Sequence, residues 1–204
     1  MSSSGVETVP SRHDVLASFE DGVTAVANLS SRVEDWSVLT PCPDWSAADL
    51  AGHLLSIVRY YHRLLDAALS GAPMAALPRG GDLAAMNAVD LLHMEDSSGP
   101  ARISEFVGLA ISYGARLAEI GEVGWEQMLG AWDGLGPLTV GQHTGIAIGE
   151  WHVHAWDLAA VSSCEHRPAD PLTVAQGQVV LGRVDLTAGD PWSLALNGYG
   201  RVAS

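Results

Sequence analysis

Residues 46–71 read SAADLAGHLLSIVRYYHRLLDAALSG, and this stretch predicts a long helix with one buried side. Ser46 and Asp49 have the spacing of a capping box, in which two side chains satisfy free backbone N–H groups at a helix start. Gly71 suits the left-handed conformation that ends many helices. Between these signals, one apolar stripe with a histidine in it recurs at helical spacing: Leu50, His53, Leu54, Ile57, Tyr61, Leu64, Leu65 and Ala68.

The same spacing continues on both sides of this stretch. It predicts three further long helices, over about residues 12–32, 101–120 and 139–161, the last with Thr139 and Gln142 as a second capping box. Segments with alternating apolar and β-branched residues, which are typical of strands, are scarce. We therefore expect an all-α protein, a four-helix bundle with additional short helices.

The remaining segments predict less regular structure. A loose excursion over residues 71–100 contains a short helical patch near 83–94, and a shorter helix is expected over about 172–184. The last twenty residues, rich in glycine, are expected to form a loosely docked tail. This gives residues 1–167 as the bundle and residues 168–204 as a short C-terminal helix and tail that pack on it or trail from it.

Composition excludes several classes of partner. The formal net charge of −14 argues against nucleic acid and anionic membranes, which need a basic face. The N-terminus lacks a signal-peptide pattern, and no segment has the length of a transmembrane helix, so we expect a soluble cytoplasmic protein. Cys42 and Cys164 are too few and too far apart for a disulfide framework or a CxxC site. The long apolar helices are also compatible with a homodimer.

The fourth long helix carries ionisable residues on a face that also carries aliphatic ones. At about 100° per residue, Glu150, His154 and Asp157 fall on one side together with His143, whereas His152 falls on the opposite side. A carboxylate on a core-facing stripe needs a partner, because burying it alone costs several kcal/mol. Gly145 and Gly149 lie in the same helix, and close approach of another backbone would explain them.

A metal ion would satisfy these groups. Glu150 and His154, four residues apart, can present an oxygen and a nitrogen to one ion, and a third ligand on a facing helix would leave open positions. His53, on the stripe of the second helix, is the best third candidate. The residues alone leave open a hydrogen-bonded polar core without an ion.

Two motifs in this order resemble a known family. Residues 40–46 read TPCPDWS and lead through Asp49 to AGHL at 51–54, and residues 149–159 read GEWHVHAWDLA. The pair resembles the DinB-like metal-binding four-helix bundles, in the actinobacterial branch of the mycothiol-dependent maleylpyruvate isomerase N-terminal domain. The resemblance covers roughly residues 10–165.

The resemblance implies a site and a chemistry. It implies that His53, Glu150 and His154 bind a divalent metal, most often Zn²⁺, with Ni²⁺ or Fe²⁺ as alternatives. It also implies a small-molecule thiol of the mycothiol type as co-substrate and a small electrophilic substrate, in a thiol-dependent transferase or isomerase. Asp157 is expected to orient a ligand or to accept a proton.

Other functions stay open at this point. Two histidines and one carboxylate with open positions also describe non-haem iron oxygenases. A metal-stabilised binding bundle without enzymatic activity is a further alternative. The isomerase itself has a C-terminal domain that helps to form its reaction site, whereas 37 residues follow Arg167 here. Fold and metal binding are therefore expected to carry over more readily than the substrate.

Overall fold

Helices dominate the protein, as the sequence predicts. The computed structural model describes residues 10–71, 83–94, 96–131 and 137–201, and the rest of the excursion predicted over 71–100 lies outside them. In chain order the elements are α1 (Arg12–Ser30), α2 (Ala47–Ser70), α3 (Leu83–Leu92), α4 (Gly99–Glu119), α5 (Gly121–Trp125), β1 (Met128–Ala131), β2 (Pro137–Thr139), α6 (Val140–Val161), α7 (Pro171–Val179) and α8 (Pro191–Gly198).

The long helices begin and end at the residues that the local signals predict. Ser46 and Asp49 form a complete capping box at the start of α2, and Gly71 ends that helix in the left-handed conformation. Thr139 and Gln142 form a second complete box at the start of α6. These contacts satisfy backbone donors that a helix start leaves free, so they fix where both helices begin.

The four long helices α1, α2, α4 and α6 share one core. Helix α6 packs against α1 and α7, and α2 packs against α4. Trp151 of α6 is fully buried at the centre, with the rings of Phe19, Tyr61 and Phe106 at centroid distances of 5.9, 5.7 and 4.9 Å. The all-α bundle is therefore confirmed, and β1 and β2 add one small antiparallel hairpin between α5 and α6.

A close approach of two backbones explains the interior glycine Gly145. A Cβ atom at Gly145 would lie 3.1 Å from the Cα of Gly177, so α6 and α7 cross at a pair of glycines. The Gln178 side chain occupies the space beside Gly149. The predicted packing reason is thus present, and it brings α7 against the helix that carries Glu150.

The expectation of a loose C-terminal tail is wrong. Helix α7 ends at Val179, earlier than predicted, and α8 follows with Asp190 as its N-cap and Pro191 in its first turn. Trp192, Ala195 and Leu196 are buried in a second apolar cluster that includes Val153 of α6. Burial of a tryptophan outweighs the glycine-rich composition, so the segment docks on the bundle as far as Arg201.

None of the helices in the described part of the chain combines the length and the apolar character needed to cross a bilayer.

Candidate metal centre

Helices α2 and α6 bring together the three residues that the sequence singles out. One ligand atom from each of His53, Glu150 and His154 lies within 4.8 Å of the other two. The Nε2 atoms of His53 and His154 are 3.3 and 3.4 Å from the same carboxylate oxygen, Glu150 Oε2. Among the described residues, no other group of His, Cys, Asp and Glu has this arrangement.

The spacing of these atoms fits a metal ion. Zinc bonds to nitrogen and oxygen are about 2.0–2.2 Å long, and tetrahedral geometry then separates neighbouring ligand atoms by about 3.3 Å. Both nitrogen–oxygen distances have this value within 0.1 Å. Three protein ligands of this kind leave at least one coordination position for an exogenous group. The trio could therefore hold a divalent ion.

The electrostatics of the trio are those of a buried charged cluster. Burial raises the pKa of Glu150, but hydrogen bonds from His154 and His53 outweigh that effect and hold the pKa below its ordinary range. Burial lowers the pKa of His53. For His154, hydrogen bonds to Asp157 and Glu150 outweigh burial and raise the pKa. A metal ion would take the place of the protons that these imidazoles otherwise share with Glu150.

Asp157 orients His154 from the side away from Glu150. The Nδ1 atom of His154 lies 2.9 Å from Asp157 Oδ2, so its Nδ1–H donates to the carboxylate and Nε2 faces Glu150. Asp157 is fully buried and also accepts from Nε and Nη2 of Arg201, at 3.1 and 2.8 Å. With both oxygens in use, Asp157 acts in orientation and not as a proton acceptor for a substrate.

Further side chains surround His53. The Trp45 ring lies 4.7 Å from the His53 ring and 6.2 Å from that of His154, centroid to centroid. The Asn87 amide of α3 contacts His53 and favours its protonated form. Trp45 thus covers the imidazoles from the connector before α2, residues 40–45, which contains two prolines.

Cys42 also lies in that connector. Burial raises the pKa of its thiol, and the nearby Arg201 cation offsets part of that effect. A thiol with a raised pKa is a poor nucleophile at neutral pH.

His152 occupies the opposite face of α6, as the helical periodicity predicts. Its Nε2 donates to the Ser18 carbonyl at 3.0 Å, and its Nδ1 lies 3.2 Å from Nε2 of His166. His143 is buried on the ligand side, edge-on to the Tyr61 ring at 4.4 Å, and burial lowers its pKa to about 3. Neither histidine belongs to the ligand trio.

The sequence patterns did not identify three residues near the site: Arg201, Tyr199 and Asn87. Arg201 and Tyr199 follow α8, in the segment predicted as a tail, and no periodic pattern includes them. The Asp190-Pro191 helix start was a readable signal that this segment is ordered.

Comparison with known proteins agrees with the two motifs and the fold. The sequence model of the mycothiol maleylpyruvate isomerase N-terminal domain family matches residues 15–159, well over half of the chain. Comparison with the curated proteins and with the solved structures gave no match. The matched region contains all three residues of the trio. The chain belongs to the family of the mycothiol maleylpyruvate isomerase N-terminal domain.

Proposed function

We propose that the protein binds a divalent metal, with Zn²⁺ the best-fitting ion, through His53, Glu150 and His154. We further propose that it catalyses thiol-dependent transfer or isomerisation of a small electrophilic substrate, with a mycothiol-type thiol as co-substrate. The observation that carries the proposal is the pair of imidazole nitrogens at 3.3 and 3.4 Å from one carboxylate oxygen. The family is named for mycothiol and for an isomerase, which supports the choice of co-substrate.

The charges of the site favour an anionic ligand. Arg201 neutralises Asp157, and the imidazoles are neutral when they ligate a metal. A divalent ion beside Glu150 then leaves one net positive charge. A thiolate would neutralise that charge, whereas a neutral ligand would leave it uncompensated in a buried site.

The residues around the trio define what the site can do. The Glu150 side chain is 18% exposed, so its carboxylate is not sealed from solvent, while His53 and His154 are almost closed off. A bound ion supplies Lewis acidity that lowers the pKa of a thiol in an open coordination position. Burial holds the pKa of the Cys42 thiol above its ordinary range, so we assign the sulfur nucleophile to the co-substrate. In an addition to an electron-poor C=C bond, the thiolate would form a C–S bond as the π bond breaks, and water would protonate the neighbouring carbon. In an isomerisation, rotation about the resulting single bond followed by loss of a proton and of the thiolate would restore the C=C bond and release the thiol.

The metal part of the proposal is tested by elemental analysis of untagged protein, followed by Co²⁺ substitution. We expect near-stoichiometric metal in the wild type, and a sulfur-to-cobalt charge-transfer band in the near ultraviolet when mycothiol is added. Thiol-free buffer and the alcohol analogue of the thiol are the controls. Protein that neither retains nor takes up a divalent ion would refute the metal site.

The catalytic part needs a separate measurement. Metal-loaded protein, mycothiol and maleylpyruvate are assayed by loss of substrate absorbance, beside a panel of simple thiol-reactive electrophiles. We expect turnover of at least one electrophile that requires both the metal and the thiol. Thiol binding to Co²⁺ without any metal-dependent turnover would overturn the enzymatic function and leave the metal site intact.

A further inference from the structure

The segment after α8 reaches the candidate metal centre from outside the region that the family model matches. That region ends at residue 159, whereas Tyr199 and Arg201 lie beyond it and contact the side chains that surround the trio. Both residues are held in place locally, because the Arg201 backbone N–H donates to the Leu196 carbonyl at 2.9 Å. The burial of Leu196 therefore fixes where Arg201 stands.

Arg201 forms the outer end of a chain of charged groups. Its Nε and Nη2 donate to the two oxygens of Asp157, and its Nη1 donates to the Tyr199 carbonyl at 2.6 Å. Asp157 in turn accepts from His154 Nδ1. Arg201 is 7% exposed and Asp157 is fully buried, so solvent screens this ion pair little. All the groups from Arg201 to His154 are thus in direct contact.

This chain decides the tautomer of His154. A guanidinium only donates, so Asp157 stays ionised and only accepts. The Nδ1 atom of His154 must then carry the hydrogen, which leaves the Nε2 lone pair for a metal ion. Without Arg201, the buried carboxylate would lose its counter-charge and two of its hydrogen bonds, and it would turn away from His154.

Tyr199 makes a second connection from the same segment. Its hydroxyl donates to Gln178 Oε1 at 2.9 Å and also lies within reach of the Glu150 carboxylate. Gln178 donates to the Gly145 carbonyl at 3.0 Å, which ties Tyr199 to the glycine crossing of α6 and α7. Because the one hydroxyl hydrogen of Tyr199 goes to Gln178, Tyr199 lies beside Glu150 without donating to it, and Arg201 carries the connection to a candidate ligand.

We propose that Arg201 is a positioning residue of the metal centre. Through Asp157 it holds His154 in the tautomer that binds metal, so docking of the C-terminal segment and metal affinity are coupled. The inference rests on the proposed metal site, and it adds a residue from outside the family-matched region.

The test compares Arg201→Gln and Arg201→Lys with wild type in chelator competition for Zn²⁺ and in the visible spectrum of bound Co²⁺. We expect Arg201→Gln to lose about 10- to 100-fold in metal affinity, and Arg201→Lys to recover part of it. Arg167→Gln is the matched control, because it removes an exposed ion pair with Asp190 at the start of α8, away from Asp157, and such exposed pairs contribute little to docking. The control should keep wild-type affinity.

Two further measurements keep the outcome decisive. If Arg201→Gln does not fold, Asp157→Asn combined with Arg201→Gln removes both charges together, and this variant should still show the affinity loss. In metal-free protein, imidazole ¹⁵N shifts should report a protonated His154 Nδ1 in wild type and a changed proton distribution in Arg201→Gln.

The outcomes separate the two proposals. Wild-type affinity and an unchanged Co²⁺ spectrum in the folded Arg201→Gln or double variant would overturn the role of Arg201 and leave the metal site standing. A wild type that binds no divalent ion would refute the proposed function. In that case the ¹⁵N shifts still decide whether Arg201 controls the His154 tautomer.

Discussion

The two faces of α6 treat two buried histidines in opposite ways. His154 has a carboxylate at each ring nitrogen, and its pKa is raised, whereas His152 has a carbonyl and a second imidazole as its bonded partners, and burial lowers its pKa. Both side chains are almost fully buried, and a single residue, Val153, separates them in sequence. The partners, and not the burial, therefore decide which histidine can exchange its proton for a metal ion.

The faces also differ in how they are built. The ligand face meets α2 and the segment after α8 through charged groups. The His152 face meets α1 at a glycine, since a Cβ atom at Gly22 would lie 2.8 Å from Trp151 Cβ. One face is organised for charge and the other for close packing. Changes on the two faces should therefore appear in different measurements.

The largest effect should appear when the histidine on each face is substituted in turn and the two variants are compared. His154→Ala removes a ligand and should reduce metal affinity by more than about 100-fold, beyond the loss expected for an orienting partner. His152→Gln should retain near-stoichiometric metal. Affinities from chelator competition check both variants. Equal metal loss in the two would end the distinction between the faces.

Acid should destabilise the His152 face. Burial, followed by the charge of His152, lowers the pKa of His166 from 6.5 to about 4. The unfolded chain therefore takes up this proton first, so the stability is fully present above pH 6.5 and is lost as the pH falls towards 4. The free energy of unfolding should fall by up to about 3 kcal/mol, because a difference of one pKa unit between the folded and unfolded states corresponds to roughly one and a third kcal/mol.

Urea denaturation between pH 7 and pH 4 measures this effect. In His166→Gln the midpoint should fall less steeply with decreasing pH than in wild type, because the variant lacks the group that the unfolded state protonates. Parallel pH profiles for the two proteins would contradict the assignment to His166.

Gly22→Ala should destabilise the fold without changing metal affinity. The new methyl group would meet Trp151 and the His152 ring at 2.8 and 3.3 Å, and α1 and α6 must move apart at a cost of about 1–2 kcal/mol. Gly108→Ala is the control, because nothing lies within 4 Å of that position in α4 and the helix should gain up to about 1 kcal/mol. Loss of metal affinity in Gly22→Ala would mean that the two faces are coupled.

The smallest effect is expected at Trp45, which covers the ligand face. Trp45→Phe reduces the area of the aromatic contact with His53. It should cost about 0.5–1 kcal/mol in metal affinity, roughly a two- to five-fold change. Thermal stability should change little, because Trp45 is only partly buried. An unchanged Kd for Zn²⁺ would remove Trp45 from the site.

Local signals predicted the four long helices and the part of the site that lies on α6. Ser46 with Asp49 and Thr139 with Gln142 act over one helical turn, so their effect can be read from spacing alone. The same periodicity places Glu150, His154 and Asp157 on one side of α6 because they belong to a single helix. Placing His53 in the site required a further assumption, that α2 faces α6. The family resemblance implied the same residue.

The contacts that sequence could not give join distant parts of the chain. Arg201 lies 44 residues from Asp157, and Ser18 lies 134 residues from His152. No pattern in either segment marks such a partner, because the energy of the contact exists only once packing removes water from both groups. The ordered α8 is different, since Asp190 and Pro191 mark its start in the sequence, whereas its docking on the bundle depends on the burial of Trp192.

The sequence by itself determined the all-α bundle, the starts of α2 and α6 and the shared face of Glu150, His154 and Asp157, because each depends on residues within a few turns of one helix. Tertiary structure alone decided that a ligand atom of His53 lies within 4.8 Å of those of Glu150 and His154, that Arg201 holds Asp157, and that His152 pairs with His166. These depend on which surfaces are buried against each other, and burial is a property of the whole fold.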